Sequence, residues 1–147
     1  NNSAGAFDGF GVLLSVGPIT FADNAAMTEI NGFTLLPAVS TVVVTGNEAL
    51  DVLDGFDNVL AADSITIADN AQLTWLVGFV NLPTITGPLV VANNPDLGSL
   101  SGFELLDSTG DLTLTGNGLN ALAKFLSLTV VHGTLRIASM IARPALS

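Results

Sequence analysis

The chain has 147 residues, of which 49% are hydrophobic and 11% are charged, so it is long enough for one domain with a large core. Its formal net charge of −10 makes nucleic acids and anionic membrane surfaces poor partners. The absence of cysteine excludes a disulfide scaffold, a thiolate metal site and a cysteine nucleophile.

A short strand-like run that ends in Asn recurs along the chain. The copies ITFADN, VVVTGN, ITIADN, LVVANN and LTLTGN end at Asn24, Asn47, Asn70, Asn94 and Asn117, and a degenerate copy, LRIASM, ends at Met140. Successive copies end 23 residues apart, except that 24 residues separate Asn70 from Asn94. A fixed period of this length is typical of solenoids, in which each coil is one supersecondary unit. The extra residue is expected in the turn region from Pro83 to Pro88.

Each copy continues past its Asn with the frame N-x-x-L-x-x-L-x-G-F-x-x-L, as from Asn47 to Val59. Apolar residues alternate in the strand and then recur at every third position, which points side chains inward on each side of a flattened tube. We therefore predict an all-β fold, a right-handed parallel β-solenoid (β-helix) of about six 23-residue coils. A single domain would span residues 1–147, with regular coils over 1–117 and a degenerate C-terminal coil over 118–147. Within that last coil, residues 121–131 are compatible with a short helix.

Two ladders of identical residues are expected inside such a tube. The Asn amides would bond to one another and to turn backbone at one corner, and an aromatic spine would run along another. In five of six copies a Gly precedes the Phe, which predicts a tight turn there. The ladder residues are Asn24, Asn47, Asn70, Asn94 and Asn117, and Phe10, Phe33, Phe56, Phe79, Phe103 and Phe125.

This frame resembles that of receptor L-domains and of leucine-rich-repeat-like right-handed parallel β-solenoids, and the resemblance covers essentially the whole chain. It implies the solenoid fold and an extracellular or cell-surface location, because such domains occur mostly in secreted and cell-surface proteins. It implies no ligand, since the frame encodes coil geometry rather than chemistry. The chain departs from receptor L-domains because it lacks their disulfides and a recognisable capping helix.

Groups suited to catalysis are scarce. His132 is the only histidine, and no Ser-x-Gly elbow or acidic partner lies near it in the sequence. One acidic cluster consists of Asp51, Asp54 and Asp57, with Asn58. Its spacing matches neither the EF-hand loop nor a Gly-Gly-x-Gly-x-Asp turn, which favours a solvated acidic edge over a calcium site. We predict a protein that is not an enzyme and has no metal and no cofactor.

An uncharged run over residues 70–95 is long enough to raise the question of a membrane span. It contains Pro83, Gly87 and Pro88 and follows the repeat throughout, so we predict that it forms solenoid coils and is not inserted in a membrane.

The outward positions of the recurring strand form a candidate binding face without charge or bulk. A water-exposed sheet face normally carries Lys and Glu, whereas the neighbouring second face carries Glu29, Asp51 and Trp75. Three interpretations are open: a contact with another protein, an ice-binding face with Thr spaced by the strand repeat, or simple strand preference for Thr and Val. The face consists of Thr20, Ala22, Val43, Thr45, Thr66, Ala68, Val90, Ala92, Thr113 and Thr115.

Charge is unequally distributed along the chain. All 13 acids lie at or before Asp111, and the only cations are Lys124, Arg136 and Arg143. We predict a basic assembly end formed by these three cations, which would meet the acidic end of another copy in a head-to-tail contact. The sequence thus predicts a non-enzymatic extracellular structural or adhesive subunit whose partners are other copies of itself or a surface ligand. The alternative is an ice-binding protein that uses the Thr/Val/Ala face.

Overall fold

Twelve β-strands and one 3₁₀ turn wind through residues 5–118 and 124–140, the parts of the chain that the computed structural model describes. They form a parallel β-solenoid of about six turns, as the repeat predicts. The 3₁₀ turn is Ser101–Phe103. The strands are β1 (Ala6–Phe7), β2 (Ile19–Ala22), β3 (Glu29–Ile30), β4 (Ala38–Thr45), β5 (Val52–Leu53), β6 (Ala61–Ala68), β7 (Trp75–Leu76), β8 (Leu89–Ala92), β9 (Ser108–Thr109), β10 (Leu112–Thr115), β11 (Val130–Val131) and β12 (Leu135–Ala138).

Parallel pairing follows the tube along three lines. The largest sheet has the order β12-β10-β8-β6-β4-β2, and it contains all six copies of the strand-like run. A second sheet has the order β1-β3-β5-β7 and continues as a bridge from Trp75 to Ser99. The third line joins the first residues of β4 and β6 and then, through bridges, β9 and β11. The flattened tube that the sequence predicts therefore has a third paired side, whose strands are too short to give a readable alternation.

The one extra residue of the repeat lies between Ile85 and Leu89, at Thr86 and Gly87. Ala62 pairs with Ile85, 23 positions on, whereas Ile65 pairs with Leu89, 24 positions on. The amide of Thr86 donates to the carbonyl of Ala62, and the amide of Gly87 donates to that of Asp63. The insertion is absorbed as a one-residue bulge at an exposed corner. The prediction that it lies between Pro83 and Pro88 is confirmed.

The Asn residues form a continuous hydrogen-bonded ladder at one corner. The Asn70 side-chain oxygen accepts from the backbone amide of Asn47 at 3.1 Å and from its side-chain amide at 3.2 Å. Asn70 in turn donates to Asn94 in the same way, and its Nδ2 also donates to the carbonyl of Val44 at 3.0 Å. The same pattern links Asn24 to Asn47 and Asn94 to Asn117. The last four ladder residues are fully buried, so each coil satisfies polar backbone that water does not reach.

The residue before each ladder Asn adopts a left-handed backbone conformation, which the sequence analysis did not predict. These five residues and Ser139, which precedes Met140 at the last ladder position, have φ between 52° and 65°. Gly, Asn and Asp tolerate this region best, and they fill five of the six positions. This recurring conformation turns the chain out of the strand and aims the following Asn into the tube. The residues are Asp23, Gly46, Asp69, Asn93, Gly116 and Ser139.

The Phe spine is a stack of nearly parallel rings. Ring centroids are 5.0 Å apart between Phe33 and Phe56, 4.9 Å between Phe56 and Phe79, and 5.5 Å between Phe79 and Phe103. Phe125 continues the stack at 6.3 Å from Phe103 and is partly buried. Stacking of the rings stabilises each coil only when the neighbouring coils are present.

Phe10 corrects the prediction of a fully internal spine. Its ring centroid is 6.0 Å from that of Phe33, but 60% of the residue is exposed. It lies in the first described coil, with the tilted ring of Phe7 beside it at 5.8 Å and no described coil over its outer face. The stack therefore continues through the first described coil while burial does not.

The glycines before the Phe residues are needed for close approach of the coils more than for a tight turn. Only Gly55 of this set has a positive φ, at 87°. A Cβ on Gly55 would lie 2.7 Å from the backbone nitrogen of Gly32, and one on Gly78 would lie 2.9 Å from the Cα of Asp54. Any side chain at these positions would push neighbouring backbones apart.

The degenerate last coil keeps its strands and loses its ladder. In its described part, residues 124–131 contain turns, bends and β11 rather than a helix, while residues 121–123 of the predicted helix lie outside the described residues. β12 pairs with β10 in unbroken register. Met140 takes the next ladder position and packs partly buried against the core, offering no side-chain oxygen to the ladder.

Removing one rung of the buried Asn ladder should cost much more than removing an outer one. Asn70→Ala leaves the Asn47 amide and the Val44 carbonyl without their partner, so we expect the free energy of unfolding to fall by about 2–5 kcal/mol. Asn24→Ala should cost about 1 kcal/mol, because Asn24 is only partly buried and accepts from no described residue. Urea unfolding followed by circular dichroism measures both, and equal losses would contradict the ladder's role.

The aromatic spine gives a parallel comparison. Phe79→Ala opens a cavity between two stacked rings and should lower the free energy of unfolding by about 3–5 kcal/mol. Phe10→Ala should cost under about 1 kcal/mol, because most of that residue is already exposed. The same urea titration tests this difference, and a Phe10 loss as large as that of Phe79 would be evidence against the end position of Phe10.

Candidate interaction surfaces

The predicted binding face is two straight ranks of side chains on the six-stranded sheet. One rank joins Thr20, Val43, Thr66, Val90 and Thr113 through consecutive strand pairs, and the other joins Ala22, Thr45, Ala68, Ala92 and Thr115. Nine of the ten residues are partly or fully exposed, while Ala68 is only 9% exposed. Its methyl group lies between Thr45 and Ala92 in the middle of the sheet, so these neighbours reduce its exposure to solvent. The sequence-predicted set is thus one contiguous uncharged strip.

Charges border this strip rather than interrupt it. Asp23 and Asp69 lie in the left-handed column along one side, and Asp111 precedes β10 on the other. The sixth strand continues the first rank with Arg136, which pairs with Thr113, and the second with Ala138. Arg136, assigned by the sequence to the assembly end, therefore also terminates the Thr/Val rank. A neutral strip with acidic margins is the result.

The predicted assembly end is less basic than the sequence indicates. The Lys124 ammonium lies 3.0 Å from a carboxylate oxygen of Glu104, so its charge is offset within the chain. Arg136 is exposed on β12. Arg143 lies outside the described residues. Of the three cations, Arg136 is thus the one whose described surroundings leave it open to a partner.

Apolar groups are exposed at both ends of the tube. Leu135 and Ile137 occupy inward-facing positions on β12, paired with Leu112 and Leu114, yet they are 56% and 44% exposed. At the opposite end, the first coil surrounds an apolar cavity of about 440 Å³. Its lining includes Phe7, Phe10, Leu13, Val16 and Phe21. The strands that flank these surfaces, β12 and β2, are the two outer strands of the same sheet.

The acidic cluster and the lone histidine form no reactive arrangement. The Asp51 carboxylate accepts from the Thr74 hydroxyl, and that of Asp54 accepts from the Gly55 amide at 2.7 Å. Partial burial, and then the neighbouring Asp54, raises the pKa of Asp57 above its ordinary value. No group of three or more His, Asp or Glu residues in the described ranges could hold a metal ion. The His132 side chain is exposed at the start of the turn that follows β11.

The second sheet presents a groove that the sequence analysis did not predict. It has a volume of about 400 Å³ and is lined by Thr74, Trp75, Asp96, Gly98 and Ser99. Glu29, Val52 and Trp75 lie in one rank of this sheet, whereas Asp51 comes one position before β5. The available signal was the single Trp of the chain, which occupies an outward position beside small residues.

No helix in the described part of the chain is long and apolar enough to cross a membrane, and residues 70–95 include β7 and β8 of the solenoid. No protein-family model matches the chain, and neither a curated protein nor a solved structure matches it. The family resemblance noted above therefore stays a prediction from the repeat frame, and function has to be argued from the surfaces themselves.

Proposed function

We propose that this chain is a non-enzymatic structural subunit that associates head-to-tail with further copies of itself through the two ends of its solenoid. The observation that carries the proposal is that β2 and β12, the outer strands of one six-stranded parallel sheet, both present an unpaired edge within the described residues. Unpaired edges of this kind are templates for strand addition.

The two edges are complementary in register. If a second copy continued the sheet, its Ile19 would lie opposite Leu135 and its Phe21 opposite Ile137. This is the same register in which Leu135 and Ile137 already pair with Leu112 and Leu114 on the other side of β12. Leu135 and Ile137 would then lie over the apolar cavity of the first coil. The exposed apolar surface of both ends would be buried by the same step.

The Asn ladder also fits this contact. In the ladder, each backbone amide donates to the side-chain oxygen of the Asn in the following coil. No described residue donates to the Asn24 side-chain oxygen, and Met140 holds the last ladder position. Stacking in register would bring the Met140 amide to Asn24 of the next copy, so the ladder would continue across the junction.

Electrostatics add direction to the contact. Arg136 is exposed at one end, and the acids Asp8 and Asp23 are exposed near the other. A contact between different ends of identical copies is heterologous, and it propagates into filaments unless it closes into a ring. We place such a subunit outside the cell or on its surface, where the repeat-frame resemblance puts related solenoids, and where it would serve a structural or adhesive role.

A charge placed in the end strand should block the association. Ile137→Lys introduces an ammonium into the apolar junction, and we expect it to weaken association at least about tenfold. Leu60→Lys is the matched control, because Leu60 is also an exposed apolar residue but lies on the side of the tube. Sedimentation velocity over a range of protein concentrations measures both, with circular dichroism to verify that each variant folds.

Negative-stain imaging supplies the second readout for the same samples. Wild-type filaments should have an axial repeat of roughly 30 Å, the length of six strands at the parallel spacing. Arg136→Glu should weaken association less than Ile137→Lys does. It should also reduce the salt dependence of association, because the cation that meets the acidic end is lost. Persistent monomers of the wild-type chain, or equal effects of the Ile137 and Leu60 changes, would refute the head-to-tail contact.

Ice binding is the second candidate, and the two straight ranks of the Thr/Val/Ala face favour it. Hydroxyl and methyl groups on that face repeat at the inter-strand spacing of roughly 4.8 Å, and no charge interrupts them from Thr20 to Thr115. Val and Ala occupy several of the positions, so hydroxyls recur at every second strand along the first rank and unevenly along the second.

Substitution of one central Thr separates this candidate from the first. Thr66→Lys sets a flexible charge in the middle of the face and should abolish inhibition of ice recrystallisation while leaving head-to-tail association unchanged. Thr86→Lys is the control, since Thr86 is an exposed Thr that lies off the face. Failure of the wild-type chain to inhibit ice recrystallisation would eliminate the ice-binding candidate.

A further inference from the structure

The groove beside Trp75 is the surface that neither the self-association contact nor the Thr/Val/Ala face uses. We infer that it is a binding site for a neutral saccharide, with the Trp75 indole as the platform for a sugar ring. The inference is independent of the proposed function, because the groove lies on the second sheet, away from β2 and β12.

Trp75 is largely exposed, whereas a Trp that serves only the core is buried. The residue is 57% exposed, although Leu76, the next residue of β7, is buried. The indole N–H forms no hydrogen bond with any described residue. A large amphipathic ring left open, with an unused donor at its edge, suits a ligand that presents both an apolar face and hydroxyl groups. The C–H face of a pyranose ring and its equatorial hydroxyls meet both requirements.

The surroundings of the ring are small and polar. Ser99 pairs with Trp75 on the neighbouring coil, and its hydroxyl lies 2.8 Å from that of Ser101. The Asp96 carboxylate and the Thr74 hydroxyl complete the walls, and the Thr74 hydroxyl is held by Asp51. Hydroxyls and a carboxylate are the groups that exchange hydrogen bonds with sugar hydroxyls. A protein interface would instead be expected to set the Trp within a well-packed apolar core, which these small polar residues do not provide.

Shape and charge narrow the ligand further. Gly98 contributes no side chain, and a Cβ there would meet no atom within 4 Å, so the space next to the indole is open. The volume of about 400 Å³ is within the range of small-molecule pockets and accommodates one or two sugar units. Asp51 and Asp96, in a chain of net charge −10, disfavour acidic sugars such as uronates. The ligand class is therefore neutral hexoses or N-acetylhexosamines within a longer glycan.

The single Trp makes the test direct. Wild-type chain is titrated with cellohexaose, chitohexaose, laminarihexaose and mannohexaose while Trp fluorescence is recorded, and isothermal calorimetry confirms each hit. At least one of these should bind with a Kd of about 1 mM or lower and shift the emission to shorter wavelength as the ring becomes covered. No binding by any of the four at about 10 mM would overturn the inference.

Two variants locate the binding in the groove. Trp75→Ala should weaken binding at least about tenfold in calorimetry. Gly98→Leu adds a side chain whose Cβ meets no atom within 4 Å and extends into the open space of the groove, so it should weaken binding by a similar factor while Trp75 remains in place. Phe10→Ala, which removes an exposed aromatic ring at the end of the tube, should bind as the wild type does. Unchanged affinity in both groove variants would assign the binding to another surface and overturn the inference.

Discussion

The buried Asn ladder is the interaction on which the solenoid depends. Its rungs satisfy the amides and carbonyls that leave the sheet at the corner after each recurring strand, where neither water nor a neighbouring strand is within reach. Each side-chain oxygen has to meet the preceding coil, so the ladder fixes the rise and the register together. The Phe stack and the inward Leu residues then pack within a spacing that hydrogen bonds have already set. This order of dependence explains why the period varies only at a corner outside both ladders.

Much of this architecture could be predicted from the sequence, because the period repeats the same physical demand. An Asn every 23 or 24 residues, and a Phe eight or nine residues after each, identify the ladders before any coordinates are known. Short strands are hard to predict, and the third line of pairing was missed because it consists of the first residues of β4 and β6, isolated bridges, and the two-residue strands β9 and β11. The exposure of Phe10 was also missed, because a repeat frame contains no information on which coils lack a neighbour.

The surfaces were only partly predictable for a related reason. The Thr/Val/Ala face is visible in the sequence because its members share a phase in the repeat, and the pairing register bears out their alignment. The Trp75 groove has no such periodic signal, since it depends on one large residue beside Gly98 and Ser99 in the next coil. The basic end was predicted from charge along the chain, whereas the ion pair of Lys124 with Glu104 depends on which coils become neighbours. Local departures from a repeat are therefore where sequence periodicity is least informative.

The bulge at Thr86 has a consequence for how such a chain can change. One residue is added to a coil there, and the strands on both sides keep their partners, with Ala62 still opposite Ile85 and Ile65 opposite Leu89. A coil can therefore become longer at this corner without a change in the packing of its interior. Because the entropy of closing a loop grows only slowly with its length, a longer segment at this point would add little cost to the fold. The corner is thus a natural attachment point for grafted peptides, from which successive variants could acquire new loops on an unchanged scaffold.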